Sequence, residues 1–341
     1  MERFLDAHDE NFDVCRSFLA ISMIVTHVFE MFLINDYNRS LTYFVTVGFV
    51  YISGLTIGAI YSQRFYEYPY KTIKKMVSRF LKLVFIYVFL NALVMVVMPW
   101  RFKEIYYWKI EKIIISVALG HANRMFGYDI LIPIAFTSLF SCLTFFRYKL
   151  IYDAFFIVSS FVLMYTLNTC YKYNDYGVIL LIIGLIGSLM GKLLKKFELN
   201  YICYILKNKL IVFVLLILCI YYYYLIVVVW EKCVRIWYHF LPTIILLITI
   251  YSISIKINPL IIKINKINSI LSSNLLFIYI YHIAIINCLF YVIRKDSLTF
   301  IKTVNLSLAL LVFVTLSCFL IDYLCKKSPF FKSLYIYIFR I

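Results

Sequence analysis

Apolar positions in this sequence do not recur every second residue, nor every third to fourth. They run together in blocks, and the polar residues gather in the short stretches between. A block of about 20 apolar residues is what a helix needs to cross the roughly 30 Å hydrocarbon layer of a bilayer. Such blocks lie near 16–34, 40–61, 79–98, 126–147, 151–168, 176–194, 209–230, 238–256, 274–293 and 303–324, which predicts ten spans. Residues 105–120 are shorter and carry Lys109, Glu111 and Lys112, so they read as a segment lying on the membrane or re-entering it. Near-continuous apolar character argues for helices, because a transmembrane barrel alternates in shorter segments. The stretch before the first block, MERFLDAHDENFD, is acidic and polar and lacks the basic region and cleavage site of a removable signal peptide; the first span is expected to be retained.

Composition raises that pattern to a class. Of 341 residues, 64% are hydrophobic and 15% charged, against about 45–50% and about 25% in soluble domains. The expected fold is all-α: a polytopic integral membrane protein, residues 1–341 forming one transmembrane domain with no Pro- or Gly-rich linker. The nine cysteines form no CxxC pair and fall mainly inside blocks, so neither a metal site nor a disulfide framework is expected. GLTIG at 54–58 and GLIGSLMG at 184–191 place small residues on one helix face, the pattern of close helix packing.

Charge sets an orientation. With the N-terminus inside, the larger share of the Lys and Arg residues falls in cytoplasmic segments and both termini are cytoplasmic. Trp100, Trp108, Trp230 and Trp237 then all fall at outer ends or loops, where an aromatic belt sits. The net charge of +17 reads as topology and contact with anionic lipids, and needs no nucleic-acid partner.

Candidate chemistry comes from polar residues inside the blocks, where an ionisable group costs about 2.5 kcal/mol or more and so usually faces a partner or a cavity. His27 lies in the first block and His282 in the ninth. Histidine suits proton transfer near neutral pH; the plainer alternative is a neutral imidazole hydrogen-bonding between helices. Glu30 is three residues after His27, on the same face, and either orients the imidazole or marks the outer end of the helix. Asp129 is a second possible partner from another helix. Ser53 with Gly54 offers a place where backbone approaches a ligand. Asp13, Arg16, Arg79 and Lys82 lie towards the expected cytoplasmic face, as basic residues commonly do.

Asp13, Arg16 and His27 together resemble the first-span motif of the membrane enzymes called acyltransferase family 3, Asp-x-x-Arg followed by ten residues and a histidine. FVYISGLTIG resembles the family's Ser-Gly-Phe stretch with Leu55 in place of Phe, KKMVSRFLKL supplies Arg79 and Lys82 at its Arg-x-x-Arg spacing, and SSNLLFIYIYH resembles its late Ser, Tyr and His element. The family's Glu-containing middle motif has no counterpart here; MFGYDILIPIAF, with Asp129, stands in its place. FVYISGL with YDILIP is closer to the branch of osmoregulated periplasmic glucan succinyltransferases.

The resemblance implies transfer of an acetyl or succinyl group from cytoplasmic acyl-CoA, a donor substrate and not a resident cofactor, to a hydroxyl of an envelope glycan or lipid-linked glycan. It gives His27 the role of general base, with Glu30, Asp129 and His282 as further catalytic candidates, and it assigns acyl-CoA binding to Arg16, Ser53, Gly54, Arg79 and Lys82, with Asp13 anchoring Arg16. A homo-oligomer is compatible with it. The alternatives are a proton-coupled transporter or flippase of a lipid-linked or small glycan, built from the same residue types, and a non-catalytic scaffold. Richness in Ile, Lys, Asn and Tyr points to an AT-rich genome and a bacterial inner membrane.

Overall fold

The computed structural model describes residues 10–33, 36–97, 130–145, 150–170, 176–196, 209–224, 239–257, 262–293 and 298–339. Among the described residues there is no strand, and twelve helices follow one another: α1 (Glu10–Phe32), α2 (Asp36–Glu67), α3 (Pro69–Val97), α4 (Leu131–Phe145), α5 (Leu150–Cys170), α6 (Tyr176–Lys196), α7 (Lys209–Tyr224), α8 (Phe240–Ile257), α9 (Ile262–Ser273), α10 (Leu275–Val292), α11 (Phe300–Lys327) and α12 (Pro329–Phe339). Many of these segments are rich in β-branched residues; TIILLITIYSIS in α8 would favour a strand in water. In lipid every backbone polar group must be satisfied within the segment, and the helix alone does that without a partner strand.

Each of the ten apolar blocks contains a helix. Five helices are long and apolar enough to cross a membrane: Phe12–Phe32, Tyr43–Glu67, Pro69–Leu93, Gly177–Lys195 and Phe300–Lys327. A sixth crossing results if α9 and α10, bent by 78° at Asn274, form one broken span. Leu131–Cys142, Ile151–Ser160 and Phe240–Ser254 are apolar but shorter. The stretch 105–120 and Asp129 lie outside the described residues. Large apolar side chains are exposed along α3 (Phe85, Phe89), α5 (Ile151, Phe155), α7 (Leu210, Phe213) and α11 (Leu308, Leu316). Apolar faces of this extent are stable against lipid and not against water.

The helices pack as two compact units, one of α1, the first part of α2 and α7–α12, the other of the rest of α2 with α3–α6. In the first unit α1 is central, packed by α8, α9, α10 and α11. It runs antiparallel to α8, Phe12 meeting Tyr251 at 5.0 Å and Cys15 Sγ lying 3.6 Å from the Leu247 carbonyl oxygen. It is also antiparallel to α11, where Phe29 meets Phe300 edge-on at 5.8 Å.

In the second unit α4 packs on α3 and α6, and α5 packs on α6. The small residues of α2 and α6 form a seam. A Cβ at Gly54 would overlap the Gly184 carbonyl, one at Gly58 the Ser188 carbonyl, and one at Gly191 the Leu55 carbonyl. The two backbones thus approach more closely than any side chain allows, as the GLTIG and GLIGSLMG spacings predict. Hydroxyls on α4 turn back onto their own helix: Thr137 donates to the Pro133 carbonyl at 2.7 Å and Ser141 to that of Thr137 at 2.6 Å. Such bonds let polar side chains sit in an apolar interior.

Candidate active site

The first unit gathers five of the residues singled out in the sequence. Asp13, Arg16, His27 and Glu30 share α1. Asp13 is buried, and Arg16 Nη1 donates to its Oδ1 at 3.1 Å, so the i,i+3 pair forms as the spacing allows. Next to Arg16, Ser17 Oγ donates to the Asn268 carbonyl on α9 at 2.9 Å and pins the first half of α1 to that helix. Eleven residues beyond Arg16 along α1, about 16 Å at 1.5 Å per residue, comes His27.

His27 Nδ1 faces Glu30 Oε2 at 3.6 Å. The carboxylate therefore lies beside the ring. The second imidazole arrives from α10: the rings of His27 and His282 stand 5.3 Å apart and 33° from parallel. His282 is fully buried and its Nδ1 lies 2.6 Å from the Ile278 carbonyl oxygen. A carbonyl only accepts, so Nδ1 carries the hydrogen and Nε2 keeps a lone pair. That Nε2 is buried and has no hydrogen-bond partner among the described residues. An unpartnered buried nitrogen costs about 1–3 kcal/mol and calls for a functional explanation. A carboxylate, an oriented imidazole and a second imidazole with a free lone pair are together the parts of a proton-transfer site.

The other candidates lie in the second unit. Ser53 is half-buried on α2. At Gly54 the close backbone approach is made by the Gly184 carbonyl of α6, so the glycine serves helix packing. Arg79 and Lys82, both half-buried, share one face of α3 a turn apart.

Sequence reasoning missed the buried ion pair of the second unit. Lys192 Nζ lies 3.1 and 3.2 Å from the two Asp153 carboxylate oxygens and donates to the Thr144 carbonyl at 3.1 Å, joining α6, α5 and α4. It missed, too, the break at Asn274, whose amide donates to the Ile270 carbonyl at 2.6 Å and whose Oδ1 accepts from the Tyr335 hydroxyl. Among the described residues no cluster of His, Cys, Asp and Glu could hold a metal ion.

Fold and site together define an all-helical membrane protein in which a half-buried histidine, His27, stands beside a buried one, His282. No protein-family model, no curated protein and no solved structure matches the chain.

Proposed function

We propose that this protein is a membrane acyltransferase that moves an acetyl or succinyl group from acyl-CoA to a hydroxyl of an envelope or exported glycan. The observation that carries the reading is the cluster of Glu30, His27 and His282, with the Arg16–Asp13 pair three turns away on the same helix. The spacing of Asp13, Arg16 and His27, which resembles that of acyltransferase family 3, supports it as well. In this reading ten helices cross a bacterial inner membrane, with both termini and Arg16 at the cytoplasmic face.

The chemistry balances with the groups present. Glu30 favours the His27 tautomer with hydrogen on Nδ1, leaving Nε2 to take the acceptor's hydroxyl proton as its oxygen attacks the thioester carbonyl. The new ester C–O bond forms, the C–S bond breaks, and the departing sulfur receives the proton from the imidazolium. His282 Nε2 is a second proton acceptor beside it. Arg16, held by Asp13, would bring its positive charge to an anionic part of the donor. The test compares intact masses of envelope glycans from cells lacking the protein, complemented with the native chain or with a His27→Ala variant shown to reach the membrane. An acetyl- or succinyl-sized increment that appears with the native chain and disappears with the variant is expected; identical glycans in all strains overturn the reading.

One observation favours a second reading, a proton-coupled transporter or flippase. Broken helices are common at transporter binding sites, and α9–α10 is bent by 78°. Substrate flux in vesicles without acyl-CoA separates the two.

A further inference from the structure

The last two helices build a second site that the acyl-transfer reading does not use. A cavity of about 480 Å³ opens where α11 ends, α12 begins and α9 breaks. Its inner wall is Asn274 and Tyr335, both buried and bonded to each other. Its rim carries Asp322, Lys326 and Lys332. Lys326 Nζ is 2.6 Å from Asp322 Oδ2, so one lysine is already neutralised, while Lys332 has no ion-pair partner among the described residues; the rim keeps an excess positive charge.

Position says what that charge faces. α11 is apolar enough to cross a membrane and ends at Lys327, so the cavity mouth stands at the level of the lipid headgroups. α12 then turns away as an eleven-residue helix docked by Tyr335 and Phe339 on Phe277 of α10 (ring separations 6.4 and 5.5 Å). Phe330, Leu334 and Tyr337 are exposed on it at i, i+4 and i+7, a single apolar stripe, with Lys332 on the opposite side of the helix. A short helix with an apolar stripe on one side and a lysine on the other, at the end of a span, fits the interface plane of a bilayer.

We propose that this cavity holds the phosphate of an anionic lipid headgroup, with Lys326 and Lys332 as its cations and the α12 stripe among the acyl chains. Headgroup phosphates sit at that level, lysines bind phosphate as point charges, and a fluid membrane supplies the ligand at high local concentration. The site needs only that α11 crosses a membrane and is independent of acyl transfer.

The test is native mass spectrometry of the full-length protein in detergent with phosphatidylglycerol, phosphatidylcholine, inorganic phosphate or coenzyme A added. The expected result is preferential retention of phosphatidylglycerol, lowered about fivefold by Lys332→Gln, the factor expected for one interfacial lysine. Asp322→Asn, which removes the competing carboxylate, should raise retention, and Lys332→Arg should preserve it. These opposite signs separate a local charge effect from a folding defect. Equal retention of the two lipids, indifference to both charge changes, or displacement of phosphatidylglycerol by coenzyme A overturns the proposal, the last by assigning the cavity to a soluble phosphate ligand.

Discussion

His27 and His282 come from α1 and α10 and hold their imidazoles 5.3 Å apart, one ring beside the Glu30 carboxylate and the other with a buried, unpartnered Nε2. The arrangement is asymmetric. One imidazole is oriented by a charged group, the other by the Ile278 carbonyl of its own helix.

If the protein transfers acyl groups as proposed, His27→Ala is expected to lower transfer about a hundredfold to ten-thousandfold, the usual contribution of a general base, while the protein still reaches the membrane. His282→Ala should also reduce transfer, since it removes the second lone pair. Mass measurement of the glycan product reads both, and full activity in His27→Ala would remove this residue from the chemistry.

Glu30→Gln keeps the side chain's size and removes its charge. If the carboxylate orients His27, transfer falls about tenfold, the factor that 1.36 kcal/mol of lost transition-state stabilisation gives, and the pH–rate profile changes shape. An unaltered rate and profile would make Glu30 only the outer end of the helix.

The glycine seam predicts a graded stability series. At Gly54 and Gly191 a Cβ meets backbone carbonyls of the facing helix, which cannot move without separating α2 from α6. At Gly48 the nearest atom is the tip of the Leu19 side chain, 2.6 Å away, which can rotate aside. Thermal unfolding in detergent should therefore show Gly54→Ala and Gly191→Ala losing more than Gly48→Ala. Similar midpoints for all three would contradict the packing described.

Local sequence rules account for what was legible. Helix identity follows from apolar blocks and the solvation rule of lipid, and the i,i+3 spacing places Glu30 beside His27 and Arg16 beside Asp13. The seam was legible because small residues at helical spacing leave few other uses for a face. The approach of His282 to His27 was not, since no spacing rule links the first and ninth blocks. Neither was the break at Asn274: it has no proline to mark it, and the Asn274 side chain is bonded by Tyr335, sixty-one residues later in the chain.

The Lys192–Asp153 pair was hidden for the same reason, and its energetics make it testable. Lys192 follows the GLIGSLMG run and reads in sequence like a snorkelling lysine near a helix end. In the structure it is buried and gives its ammonium hydrogens to both Asp153 oxygens and the Thr144 carbonyl. Removing one partner strands a buried charge, which costs about 3–5 kcal/mol, whereas replacing both by apolar residues of similar volume is often neutral. Asp153→Leu and Lys192→Met are each expected to lower the thermal midpoint strongly, and the double variant to recover most of the loss. A double variant as unstable as the sum of the singles would mean that the pair is held for its contact with Thr144, where the ammonium satisfies a carbonyl near the end of α4, and not for mutual charge compensation.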